Sequence, residues 1–381
     1  MRVLICPDKF AGTLTAPEAA AAVAAGWRDR APADEIVELP LSDGGPGFVD
    51  ALAGPTGGRR IAVPTVDPLG RPAVGEILLV DGPAGRTGYV ESAQACGLHL
   101  LTPAERDPKH TTSYGLGVLL LAAVEHGARR VVVGLGGSAT NDAGAGMLTA
   151  LGTAVLDVAG YALPYGGAAL AGAHSLDGVP RLRAVELVAA TDVDNPLTGL
   201  HGASNVYGPQ KGADRADVLL LDAALQRFAG VLVAGLPGCP AEVAAWPGAG
   251  AAGGIGAALL ALGGRCESGI DLVTGLIGLP AALDAADLVI SGEGSFDHQS
   301  LRGKVVAGVA GAARDRGLPC VVIAGQVATG RREAAAAGVT EAYALVDHFG
   351  GETGGGLDQA LARPADGLRQ IAARLAGQWS R

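Results

Sequence analysis

Five short apolar runs, at 3–6 and 36–39 near the start of the chain and at 287–291, 320–324 and 342–346 near its end, each lead through a polar or glycine-bearing turn towards a helical segment. This grammar is the strongest constraint on the fold, because strands separated by helices pair in parallel through right-handed crossovers and place helices on both faces of one sheet. After the first run, Thr15-x-x-Glu18 forms a capping box ahead of Ala20, Val23, Ala24 and Trp27. Further helices are expected over 305–315, 331–337 and 357–375. The pattern predicts an α/β protein with a flavodoxin-like, doubly wound parallel sheet of order 2-1-3-4-5, built from residues 1–60 and 285–381.

Residues 61–284 interrupt that sheet and are expected to form a second, inserted α/β domain. They open with strands set off by Gly and Pro, then show a helix over 113–125, a strand over 131–134, a glycine loop and a helix from about Ala143. Aromatic residues make up only 4% of the chain against 49% hydrophobic residues and 61 glycines, so both cores must be built from small side chains and close backbone approaches. The uncharged segment 243–264 is long enough to span a bilayer, but it holds Pro247 and seven glycines and reads as a glycine-rich loop entering a buried helix.

A net charge of −10 opposes nucleic acid as a main partner, since neutralising phosphates needs a basic face. Cys6, Cys96, Cys239, Cys266 and Cys320 show no C-x-x-C spacing, and the seven histidines show no H-E-x-x-H pairing, so neither a zinc site nor a disulfide framework is expected. The start of the chain reaches a charged, Pro-containing stretch too soon for a signal peptide, which predicts a cytoplasmic protein with no membrane attachment.

Of 28 basic residues only four are lysine, namely Lys9, Lys109, Lys211 and Lys304, and two of these, Lys211 and Lys304, stand directly beside a glycine. A compact ammonium on a flexible stem suits a transferring phosphate. Ligands of doubly wound sheets sit beyond the carboxyl ends of the strands, where strand order reverses. That point is flanked by Asp8 and Lys9 after the first strand and by Gly292-Glu293-Gly294-Ser295-Phe296-Asp297 after the third, with Asp43 able to reach the same cleft. The third-strand loop continues to Arg302-Gly303-Lys304 at a helix start, where backbone N–H groups favour an anion.

The inserted segment carries a second set of loops. Gly134-Leu135-Gly136-Gly137-Ser138-Ala139-Thr140-Asn141-Asp142 follows a strand and opens a helix, so its amides can wrap a phosphate, with Gly136, Gly137, Ser138 and Asn141 as the candidate contacts. It matches neither the P-loop nor the G-x-G-x-x-G spacing. Asp192, in Thr191-Asp192-Val193-Asp194-Asn195-Pro196, offers oxygen ligands suited to Mg²⁺ or a substrate hydroxyl, and Gly208-Pro209-Gln210-Lys211-Gly212 adds a lysine.

With these motifs in this order, together with Pro7-Asp8-Lys9-Phe10, Ser42-Asp43-Gly44-Gly45 and Gln299-Ser300, the chain resembles the bacterial glycerate kinase family through nearly its whole length. The resemblance implies a flavodoxin-like domain interrupted by a second α/β domain. It also implies an ATP- and Mg²⁺-dependent kinase, monomeric or homodimeric, that phosphorylates D-glycerate at O2 to give 2-phosphoglycerate and ADP. On that footing Lys9 and Lys304 are expected on phosphate or the glycerate carboxylate, with Asp8 and Asp43 beside them. Glu293 and Asp297 are expected on Mg²⁺ or the acceptor hydroxyl, and Asp192 is the alternative base. Three positions depart from the family pattern and bear on anion contacts: Ala11 where Lys is frequent, Pro46 where Glu is common, and Ser295 where Arg is common. Two other classes share the architecture, a non-catalytic sugar-acid or nucleotide sensor and a nucleotide-dependent oxidoreductase, although no dinucleotide fingerprint is present.

Overall fold

The computed structural model describes residues 1–10, 12–182, 185–298, 300–301 and 305–380. The chain divides into two compact units, one of Met1–Asp43, Asp50–Thr56 and Ile270–Arg381, the other of Gly44–Val49 and Gly57–Gly269.

In the first unit a five-stranded, all-parallel sheet runs in the spatial order Glu341–Ala344, Cys320–Val327, Leu288–Phe296, Arg2–Ile5, Glu35–Glu38. This is the 2-1-3-4-5 order, with the first strand pairing Val3 to Leu288 on one side and Val3 to Ile36 on the other. Its central strands are buried on both faces, which accounts for their continuous rather than alternating apolar runs. Helix Ala16–Arg30 begins at the expected capping box, where the Thr15 N–H donates to the Glu18 carboxylate at 2.8 Å and the Glu18 N–H to Thr15 Oγ1 at 3.3 Å. It buries Ala19, Ala20, Val23, Ala24 and Trp27 in one core with Leu368, Ile371 and Leu375 of the C-terminal helix.

Four boundaries differ from the sequence expectation, the fourth strand running past Ala324 to Val327 beside the third. The third strand does not stop at Ser291 but continues to Phe296, pairing Ser295 with Gln326 and Phe296 with Val327. Gly292 and Gly325 permit this: a Cβ at Gly292 would strike the Ile323 carbonyl and one at Gly325 the Gly294 carbonyl, so only bare backbone can come this close. The fifth strand ends at Ala344 and gives way to a short helix, Leu345–His348. The terminal helix is two, Gly356–Ala362 and Pro364–Trp379, because Pro364 forces its predecessor off helical geometry and Arg363 sits at φ −136°, ψ 50°.

The second unit is built on a six-stranded sheet in the order Arg265–Glu267, Glu186–Ala190, Arg130–Gly134, Gly85–Glu91, Pro72–Gly82, Arg59–Val66. The first four are parallel and the last two add on as an antiparallel meander. Gly44–Val49 belongs to this unit because the Gly47 and Val49 amides donate to Glu91 Oε2 at 3.0 and 3.3 Å. Segment 243–264 is a glycine-rich turn running into helix Ala251–Ala261, which is almost wholly buried. Among the described residues one helix, Arg215–Gly235, is long and apolar enough to cross a membrane, and Ala224, Leu225, Phe228 and Leu232 on it pack into the core of this unit.

Candidate active site

The first unit carries a cavity of about 390 Å³ at the carboxyl ends of its strands, and Asp8, Lys9, Asp43, Glu293 and Asp297 all line it. Backbone pairing sets them there. Beyond the first strand the ladder continues, with the Cys6 N–H donating to Ile290 O and the Asp8 N–H to Gly292 O, both at 2.8 Å, which places Asp8 beside the strand that bears Glu293. On the other side the Leu41 N–H donates to Pro7 O at 2.9 Å and leads the chain to Asp43.

Asp8 is buried, and its carboxylate accepts the Lys9 N–H at 2.7 Å. Burial pushes its pKa up to about 6, against the opposing pull of Lys9 and reinforced by the charge of Asp43. The Lys9 ammonium stands 3.5 Å from Asp8 Oδ1 and 3.7 Å from Asp43 Oδ1, so one cation is shared by two carboxylates. Glu293 is buried on the extended part of the third strand, which makes it a rigidly placed group rather than a loop residue. Asp297 lies one residue past that strand in a turn latched by hydroxyls. Ser300 Oγ donates to Ser295 O at 3.1 Å and accepts the Asp297 N–H at 3.1 Å, while Ser295 Oγ reaches Asp297 Oδ2 at 3.4 Å.

Four carboxyl groups around one described lysine make this end of the cavity acidic. Such a set suits a hard divalent cation, and Mg²⁺ typically takes only one or two protein carboxylates, leaving its other positions to water and phosphate oxygens. No group of three His, Cys, Asp or Glu side chains among the described residues is arranged to hold a metal by itself. The donor chemistry of Glu293 and Asp297 fits Mg²⁺ on those terms.

The glycine loop of the second unit has a different character. Gly137 is exposed in the left-handed region at φ +63°, and Pro46 packs against it. Ser138, Thr140, Asn141, Asp142 and Lys211 are buried. The Lys211 ammonium donates to Ser138 Oγ at 3.0 Å and Thr140 O at 2.7 Å, and Asn141 Nδ2 donates to Ser204 Oγ at 2.8 Å. Burial brings the Lys211 pKa down to about 7, with the nearby Asp142 charge opposing the fall. Asp142 accepts the Ser113 N–H and hydroxyl at 2.8 Å each. The side chains of Ser138, Asn141 and Lys211 therefore face inward and hold the loop, and Gly137 is its exposed residue.

Asp192 also belongs to the second unit, exposed beyond strand Glu186–Ala190, where it accepts Ser268 Oγ at 2.8 Å. Lys304, Arg302, Gln299 and Ala11 lie outside the described residues. Sequence reasoning missed the remaining walls of the cavity, including Gln326, Leu345, Leu357 and Leu361. Gln326 was findable from its place near the carboxyl end of the fourth strand, the same rule that pointed to Asp8 and Glu293.

Comparison with known proteins adds to this geometry. Residues 3–380 match the model of the glycerate kinase family. The chain is 39% identical over 384 residues to a glycerate 2-kinase of Escherichia coli, covering 99% of this chain and 98% of that one. It is 39% identical over 378 residues to a glycerate kinase of Halalkalibacterium halodurans, covering 98% and 96%. Among solved structures it is similar to one described as a glycerate kinase 2 of Salmonella typhimurium LT2, with a TM-score of 0.80, 39% identity, and coverage of 99% of this chain and 98% of that chain.

Proposed function

The chain belongs to the glycerate kinase family, and from that premise we propose that it transfers the γ-phosphate of ATP to the O2 hydroxyl of D-glycerate, giving 2-phosphoglycerate and ADP. The observation that carries this reading is the convergence of Lys9 with Asp8, Asp43, Glu293 and Asp297 in one cavity at the reversal point of a doubly wound sheet.

The glycerate oxygen forms a new bond to the γ-phosphorus as the bond from that phosphorus to the β-bridging oxygen breaks, and the electron pair leaves with ADP. The hydroxyl proton must go to a carboxylate, for which Asp297 is the candidate, with Asp192 as the alternative. Lys9 offers a cation to the glycerate carboxylate or a phosphate oxygen, and Asp8 and Asp43 orient that ammonium. Lys304 is proposed for the same electrostatic task on sequence grounds alone.

Glu293 would hold Mg²⁺, joined by Asp297 where Asp192 rather than Asp297 takes the proton, and the ion when bound neutralises charge on the phosphate oxygens. In the second unit, the amides of Gly136 and Gly137 are proposed to contact a phosphate, while Ser138, Asn141 and Lys211 keep that loop in shape.

The test is to incubate the purified chain with Mg·ATP and a panel of hydroxy acids that includes both glycerate enantiomers, to follow ADP, and to locate the new ester by ³¹P NMR. Turnover restricted to D-glycerate with the phosphate on C2 is expected. ADP release with none of the acids overturns the reading, and phosphate on C3 overturns its regiochemistry.

A further inference from the structure

We infer that the apolar flank of the switch-point cavity is the seat of the purine nucleoside of the phosphate donor; this rests on the kinase reading and assigns the donor's base to named residues. The cavity is divided in character. Its acidic floor is described above, and its other side is formed by Leu345 and Val346 at the start of the short helix after the fifth strand, by Leu357, Ala360 and Leu361 of helix Gly356–Ala362, and by Pro364.

Two of these residues are left unusually open. Leu357 is 41% exposed and Leu361 is 56% exposed, and they stand four residues apart on the same helix face, both lining the cavity. Leucines at that spacing normally bury their stripe in a core. Here the stripe flanks a polar site, so the surface it offers is matched by a ligand that is apolar and flat at one end and anionic at the other.

Glycerate, a three-carbon hydroxy acid, has no such apolar face. A nucleoside triphosphate has both ends, and a cavity of about 390 Å³ falls in the range of small-molecule sites, roughly 300–1,000 Å³. Gln326, near the end of the fourth strand on the cavity wall, supplies an amide donor and an acceptor of the kind that reads a purine edge. The base then lies along Leu357 and Leu361, and the phosphates extend towards Lys9 and the carboxylates.

The experiment compares the wild-type chain with Leu361→Asp and, separately, Leu357→Gln. Both positions are exposed enough for substitution to leave the core intact. ADP and adenosine are titrated by calorimetry, and KM is measured for ATP and for glycerate. The expected result is a rise of about tenfold in the Kd for ADP and the KM for ATP in Leu361→Asp, with KM for glycerate held. Adenosine alone should bind the wild type and lose that binding in both variants. Unchanged nucleotide binding, or a rise confined to the KM for glycerate, overturns the assignment while leaving the kinase reading intact. A wild type that binds ADP and adenosine but turns over no hydroxy acid overturns the kinase reading instead and keeps the nucleoside site.

Discussion

Gly325 faces the carbonyl of Gly294 across two parallel strands so closely that any Cβ on Gly325 would strike that oxygen. The consequence reaches the site, because Glu293 and Gln326 flank this contact on either strand. Gly325→Ala is expected to cost about 1–3 kcal/mol through forced backbone displacement, seen as a lower urea midpoint. Gly311, inside helix Val305–Arg314 with nothing near its Cβ direction, supplies the control: Gly311→Ala should raise the midpoint by about 0.5–1 kcal/mol equivalent.

The buried Asp8 titrates near pH 6, well above its ordinary value of 3.8. Between those two values the folded chain binds more protons than the unfolded one, so ionising Asp8 subtracts stability as pH rises towards 6. Activity should run the opposite way, since the ionised carboxylate is the form that orients Lys9. An acid limb near pH 6 is expected in kcat/KM for glycerate, and it should vanish from the profile of Asp8→Asn.

Asp297 tests the assignment of the proton acceptor. Asp297→Asn keeps the side chain's size and should preserve the hydroxyl-latched turn at Ser300, while kcat falls by roughly 100-fold or more. Turnover near that of the wild type would move the role to Asp192, which the parallel variant Asp192→Asn then probes.

Lys211 yields a prediction about stability rather than turnover. Its folded pKa of about 7 lies below the ordinary 10.5, so over that window the unfolded chain holds the extra proton and stability increases with pH. The difference in Tm between wild type and Lys211→Met should therefore shift in favour of the wild type as pH is raised from 7 to 10. A difference that is flat across this range would show that the ammonium is not desolvated.

The strand order of the first unit was legible because each apolar run ends in a turn residue and the crossover rule leaves few ways to arrange five such runs. Placing Asp8, Asp43, Glu293 and Asp297 near one another followed from that order alone. The extension of the third strand was hidden, since Gly292 and Gly294 read locally as loop residues and become strand only when Gly325 and Ile323 approach from the neighbour. The break at Pro364 was masked by an apolar period that runs through it on both sides. The leucine flank escaped notice for a related reason: Leu357 and Leu361 have the spacing of core residues, and only the packed structure shows that they are left open. The inward turn of Ser138, Asn141 and Lys211 depends on burial, which no motif encodes.

The pairing of Val3 with Leu288 sets a timetable for synthesis. A ribosome making this chain delivers the inner strand Arg2–Ile5 ahead of the whole second unit, yet three of that sheet's five strands, its central one included, come only after residue 287. The stretch Gly57–Gly269, which makes up nearly all of the second unit, has by then emerged and can complete its own core first. The opening strand must wait through that interval with the apolar residues Val3, Leu4 and Ile5 uncovered on one edge, which makes it the segment that a nascent-chain chaperone would be expected to hold.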